Sequence, residues 1–232
     1  MAQADEQEMS APGARSGHRG RLSRALIVRT ALLLMDNEGL ESVSMRRVGR
    51  ELGVEAMSLY NHVRDKEDLL DAITEAVLGE FHWEPNTDDW VEQGREAARE
   101  WRRLMKSHPN VIRLMIERKH PLASADALRP TEIALDILRR AGLSERDTVH
   151  AFRAIGGYIF GVVMMESGNL APGRPDETGE MTPAELMRAI PPDFPCLAQM
   201  LPWLMGCDDD ATFELGLDLL LEGIRAKFGA RA

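Results

Sequence analysis

The sequence predicts an all-α chain in which a small helical module, residues 21–66, stands ahead of a larger helical body, residues 67–232, behind a short tail, residues 1–20. Three observations predict it. Apolar residues recur at helical spacing between Ser, Asp and Pro starts and Gly stops, the net charge changes sign near the module boundaries, and the helical segments lengthen from Trp90 onward. The tail is rich in Gly, Ser, Ala and charge and has too few apolar residues to offset the entropy of ordering it.

The first helix is expected to start at Ser23 as N-cap and to carry Leu22, Leu26, Val28, Leu32 and Met35 at helical spacing, with Gly39 as its left-handed terminator. Ser44 caps a short second helix, MRRVGREL, whose Met45, Val48 and Leu52 face inward until Gly53 breaks it. A third helix is expected from Glu55 to about Val63, with Leu59 and Val63 inside. A fourth starts at Lys66 and buries Leu69, Leu70, Ile73, Ala76 and Val77. Helices two and three are too short to persist alone and must pack on helices one and four. The outer side of helix three then presents two i, i+4 pairs, Met57 with Asn61 and Ser58 with His62, and no acid. Such a face can enter a major groove without repelling phosphate, and Arg46 can reach a base or a backbone oxygen. An ordinary helical hairpin with a polar outer face satisfies the same periodicity.

Charge adds to this. The chain carries 28 Lys+Arg against 38 Asp+Glu, a net of −10, yet residues 15–66 sum to +4 while residues 1–14 sum to −3 and the remainder to −11. A basic module on an acidic body suggests a part that meets phosphate joined to a part that does something else. Fluctuation of solvated helix faces would produce the same imbalance.

The stretch GLESVSMRRVGRELGVEAMSLYNHVRDKEDLLDAI, residues 39–73, resembles the DNA-binding domain of the tetracycline-repressor family of bacterial transcription regulators. It carries the Gly, the Ser after four intervening residues, the Arg, the LGV, the L-Y-x-H and the following Lys of that pattern. The resemblance implies that Arg46 reads a base, that Met57 and Asn61 face the groove, and that Ser44, Ser58, Tyr60, His62 and Lys66 hold phosphates. Gly49 stands where the family usually has Ala, which keeps a helix crossing close but loosens helix two by roughly 1 kcal/mol. Ala56 leads helix three without a polar reader, so recognition there is expected to be apolar or indirect.

In the body, WVEQGREAAREWRRLMKSH begins a long helix at Trp90, TEIALDILRRAG is expected to open with Pro130 in its first turn, and Ser144 caps LSERDTVHAFRAIGGYIFGVVMMES. The apolar run 154–165 is too short by itself to cross a bilayer and reads as a buried helix. The polar, Pro/Gly-rich residues 168–183 read as a mobile loop, after which Thr182-Pro183-Ala184-Glu185 forms a capping box. The last helix places three acids at its N-terminus and Phe213, Leu217, Leu220, Ile224 and Phe228 along one side. FELGLDLLLEGI, RPTE and AGLSE are similar to the tetracycline-repressor-type branch. That similarity implies a dimer built as a four-helix bundle from residues 146–167 and 210–228, with Gly157 and Gly161 allowing close approach either to a partner or within the chain.

The expected ligand walls are Trp101, Met105, Ile112, Met115, Phe152, Ile155, Tyr158 and Ile159, together with Leu104, Ile116 and Met164. His82 matches a histidine that helps bind drug in the tetracycline repressors. The metal-ligand histidine of that branch falls near Leu114 or Met115, which argues against a magnesium-chelated effector. His108, His120 and His150 lack metal-ligand spacing, so no metal or cofactor is expected. Cys196 and Cys207 read as ordinary thiols, and the N-terminus lacks the apolar core of a secretion signal, which points to the cytoplasm. Together these features imply a homodimeric repressor that grips a palindromic operator, double-stranded DNA, and is released by a small, largely apolar effector. The rivals are a helical DNA organiser without an effector and a helical enzyme. For the enzyme there is no nucleophile with a base, no paired carboxylate motif and no Gly-rich phosphate loop.

Overall fold

The computed structural model describes residues 22–117, 124–167 and 183–228, and every regular element among them is helical. The tail, the segment 168–182, His120 and the Thr182 cap lie outside the described residues. Helix α1 (Arg24–Glu38) starts where its cap predicts, the Leu26 amide donating to Ser23 Oγ at 3.3 Å. It ends at Gly39, whose φ of 86° and ψ of 167° make an extended turn, not the expected left-handed cap, in a region that still favours glycine. A short 3-10 turn, Leu40–Ser42, leads to α2 (Met45–Leu52), capped by Ser44 and closed at Gly53 in the left-handed conformation.

Helix α3 is shorter than expected. Only Ala56–Leu59 is α-helical, and the chain continues as turns in which the His62 amide donates to Leu59 O at 2.9 Å and the Val63 amide to the same oxygen at 3.0 Å. Only Leu59 and Val63 are buried on this segment, so one apolar anchor per turn tethers it and the ladder loosens between them. Helix α4 (Lys66–Leu78) follows, capped by Asp65. It buries Leu69, Leu70, Ile73 and Val77 as expected, but Ala76 is exposed.

The body contains α5 (Trp90–Ser107), α6 (Pro109–Glu117), α7 (Ala125–Arg140), α8 (Glu145–Glu166), α9 (Pro183–Ala189), α10 (Pro195–Met205) and α11 (Asp209–Phe228). Helix α7 begins earlier than Pro130 suggests, because Ser124 Oγ accepts from the Ala127 amide at 3.2 Å and nucleates the helix there. Pro130 therefore sits inside it, buried, with its ring side filling space. Helix α4 packs against α1, α6 and α7, so the core runs unbroken from Ile27, Met35, Leu59 and Ile73 to Leu104, Ile159 and Phe213.

Helices α8 and α11 pack on each other and on α5, but neither is buried all round. By length and composition α8 could cross a bilayer, contrary to the expectation from its apolar run alone; instead Ala151, Ile159 and Val163 turn into the protein while Val149 and Met165 are exposed. In α11 Phe213 and Leu217 are buried as expected and Leu221 joins them, Ile224 and Phe228 pack half-buried beside Leu138, Leu143 and Ala151, and Leu215 and Leu219 are 63% and 67% exposed. The turn-by-turn spacing of four carries the buried line gradually round the helix.

An arginine ladder on α5 clasps α11. Arg95 reaches Asp218 at 2.7 Å, Arg99 reaches Glu214 at 2.7 Å, and Arg102 reaches Asp210 at 2.7 Å while also pairing with Glu166 of α8. Arg102 is buried and its guanidinium lies 4.5 Å from the Phe213 ring centroid, where ring and carboxylates jointly replace water.

Candidate nucleic-acid interface and effector cavity

The recognition segment hangs on Asp68. This buried carboxylate at the start of α4 accepts from Arg24 Nη1 at 2.9 Å and Nη2 at 3.1 Å, and from the Arg64 amide at 2.8 Å. Arg24 Nη1 also donates to His62 O at 3.0 Å. One carboxylate thus ties α1 and α4 to the chain leaving α3, and the Arg24 guanidinium holds its pKa far below the usual carboxylate range. At the other end, a Cβ on Gly49 would stand 3.0 Å from Val54 O, so the small residue lets the α2–α3 turn close on α2.

Held this way, the segment turns Met57, 71% exposed, together with Tyr60 and Asn61 into solvent. Ser58 and His62 are half-buried at its edge, and Arg46 and Lys66 are exposed on the flanks. Arg46, Arg50 and Lys66 form no ion pair among the described residues, whereas Arg47 is held by Glu38 and Glu51, each at 2.6 Å. Part of the positive charge counted in the sequence is therefore neutralised within the fold. Ser44 keeps its hydroxyl on the Arg47 amide at 3.2 Å as a cap, leaving lone-pair capacity but little freedom to move.

A cavity of about 400 Å³ lies between α4, α5, α7 and α8, within the range of small-molecule sites. Of the residues named as candidate ligand walls, Trp101, Met115, Phe152, Ile155 and Ile159 line it. Seven of the residues named as candidate walls or ligand contacts do not. Met105 and Ile112 are fully buried in the core that joins α5 to α6, where no space adjoins them. Tyr158 turns toward α11, stacking on Phe213 with its hydroxyl donating to Thr212 O and Phe213 O at 3.1 and 3.0 Å. His82 is exposed with Nδ1 2.7 Å from Glu80 O, away from the lining. Leu104, Ile116 and Met164 are likewise outside it.

Residues from α7 that the sequence reading passed over, Ile133, Ala134 and Ile137, form the opposite wall, and Ala97 and Ala98 of α5 make room for it. Their i, i+4 spacing is legible, but which neighbour they face is not. Leu78 and Phe81, at the end of α4, complete the lining. His108 at the start of α6 meets Asp36 of α1 at 2.8 Å and Glu80 at 3.5 Å, and Asn110 donates to Met35 O at 3.0 Å. The cavity wall is thus joined to the small module by α4 and by the start of α6. Among the described residues no group of His, Cys, Asp and Glu could hold a metal ion, and Cys196 and Cys207 are both exposed.

Comparison with known proteins gives concordant results. Residues 27–73 match the family described as bacterial regulatory proteins, tetR family, and residues 84–228 match the tetracyclin repressor-like, C-terminal domain. An HTH-type transcriptional regulator of Saccharopolyspora erythraea is 34% identical over 210 residues, 90% of this chain and 86% of its own length. The class C tetracycline repressor protein of Escherichia coli is 30% identical over 210 residues, 88% of this chain and 91% of its own. The crystal structure of the Streptomyces coelicolor TetR family protein ActR in complex with actinorhodin superimposes with a TM-score of 0.74 at 30% identity, covering 90% of this chain and 100% of that one.

Proposed function

We propose, for a chain that belongs to the tetR family of bacterial regulatory proteins, that it acts in the cytoplasm as a homodimeric repressor of a palindromic operator and is released by a small, largely apolar effector. Two heads set about 34 Å apart would meet successive major grooves on one side of the duplex. In each, Met57 and Asn61 enter the groove, Arg46 reaches a base edge, and Ser44, Ser58, Tyr60, His62 and Lys66 hold phosphates. Homodimer contact runs through residues 146–167 and 210–228, where exposed Val149, Met165, Leu215 and Leu219 would otherwise face water.

The observation that carries this reading is the span of α4. Its last residue, Leu78, forms cavity wall, and Asp68 near its start grips the chain leaving the recognition segment. A displacement of the wall is therefore delivered to the groove-facing side chains through one 13-residue helix. The effector must bind the released arrangement more tightly than the operator-bound one, since equal affinity for both shifts nothing. That the structural relative ActR forms a complex with actinorhodin supports a small-molecule effector for this chain.

The test is a mobility-shift titration of the full-length protein against DNA flanking its own gene. Retardation that Asn61→Ala weakens without altering thermal stability is the expected outcome. Absence of any retardation at low salt would overturn the reading, and binding insensitive to every cavity ligand found by thermal-shift screening would favour a DNA organiser instead.

A further inference from the structure

We propose that the effector is an organic anion, an apolar ring body carrying an acidic group, and that Arg153 is the residue that selects the charge. This rests on the reading of the cavity as the effector site. Among the described residues that line it, Arg153 alone is charged. The other described lining residues are aliphatic and aromatic apart from the Thr131 hydroxyl and two indole rings, with no carboxylate among them. Among the described residues of the body, Arg95, Arg99, Arg102, Arg103 and Arg140 each lie within ion-pair distance of a carboxylate, whereas Arg129, Arg146 and Arg188 form no ion pair. Arg153 forms no ion pair among the described residues.

A guanidinium stays protonated at any physiological pH and offers a planar fork of donors that fits a carboxylate, sulfonate or phenolate oxygen. Arg153 borders the apolar cavity and is exposed, so in the single chain water stabilises its charge. Its neighbours on α8, Gly156 and Gly157, also line the cavity, and Val149 and Met165 lie on the face assigned to the second copy. Covering that face narrows the aqueous route to Arg153 and raises the cost of leaving its charge unmatched. A ligand acid supplies the match, and the Trp101 and Phe152 rings receive its body. A neutral ligand of the same shape would fill the void but leave the guanidinium unsatisfied.

Two fluorescent probes separate the contributions. The full-length protein is titrated with 8-anilinonaphthalene-1-sulfonate and with N-phenyl-1-naphthylamine, the same ring system without the sulfonate. The wild type is expected to prefer the sulfonate; Arg153→Met is expected to lose about tenfold in sulfonate affinity while binding the neutral amine unchanged, and Arg153→Lys to keep most of the preference. Ala134→Trp, which fills the cavity, is expected to abolish binding of both probes. An unchanged preference in Arg153→Met overturns the proposal, as does an Arg153→Met protein that loses its oligomeric state with no change in probe preference, which would assign the guanidinium to the subunit interface. Retention of both probes by Ala134→Trp would instead remove the cavity as the ligand site, a separate failure that leaves a distinct signature.

Discussion

Replacing Asp68 with Asn removes the charge that joins α1, α4 and the end of the recognition segment while leaving the side-chain shape unchanged. Arg24 is 45% exposed, so solvent screening limits its paired bonds to about 1 kcal/mol in total. The bond from the Arg64 amide to a charged acceptor adds about 1 kcal/mol, for a loss of about 2 kcal/mol in Asp68→Asn. For a chain of this length that corresponds to roughly 4–8 °C in Tm, measured by calorimetry at neutral pH. The native carboxyl pKa is depressed below its ordinary value of 3.8, so the stabilisation is present above that value and is lost as pH falls through the native one. A double-mutant cycle with Arg24→Met is expected to return a coupling of about 1 kcal/mol. Because His62 O and the Arg64 amide are held by this pair, operator affinity is expected to drop about tenfold alongside. A Tm change below about 1 °C, with coupling indistinguishable from zero, would refute the account of Asp68 as the anchor of the segment.

Three further outcomes follow from the geometry. Arg102→Met leaves Glu166, whose side chain is only 7% exposed, with Lys106 at 3.2 Å as its remaining cation, and is expected to cost about 3 kcal/mol in chemical denaturation, far more than Arg99→Met on the surface. The Asp36 hydrogen bond raises the His108 pKa above its ordinary 6.5, so the latch between α6 and α1 is complete below that pH and weakens as pH rises through the native value. Wild-type Tm is therefore expected to fall between pH 6 and pH 8 by more than that of His108→Gln, scanned at constant ionic strength. Leu215→Glu with Leu219→Glu places two charges on the exposed line of α11 and is expected to convert the proposed dimer to monomer in sedimentation without loss of helical circular dichroism.

Helix existence was legible wherever a cap and a periodic apolar line coincided. Ser23, Ser44 and Ser144 each start a helix, and Gly53 stops one, because these effects act within a turn of the residue that causes them. Pro130 misled for the same local reason. A proline suits a first turn, but Ser124 supplied a better start, and a proline further along is tolerated when its ring is buried. The recognition segment illustrates the limit of periodicity: the faces of Met57, Asn61, Leu59 and Val63 were right, while the α-helical length was not, since spacing reports direction and says little about how firmly each turn is held.

The sequence by itself determined the helical class, the Ser23, Ser44 and Ser144 caps, the basic module on an acidic body, and the outward direction of Met57 and Asn61 on the third helix, because all of these depend on neighbours within a few residues. Only the tertiary structure decided which apolar residues border empty space and which fill the core, so that Met105, Ile112 and Tyr158 left the cavity wall and Ile133, Ile137 and Leu78 joined it. It also decided which arginines are spent on carboxylates more than a hundred positions away, as Arg95 is on Asp218. Burial and ion pairing are properties of distances across the chain, and a helical period specifies the side of an element without specifying what that side meets.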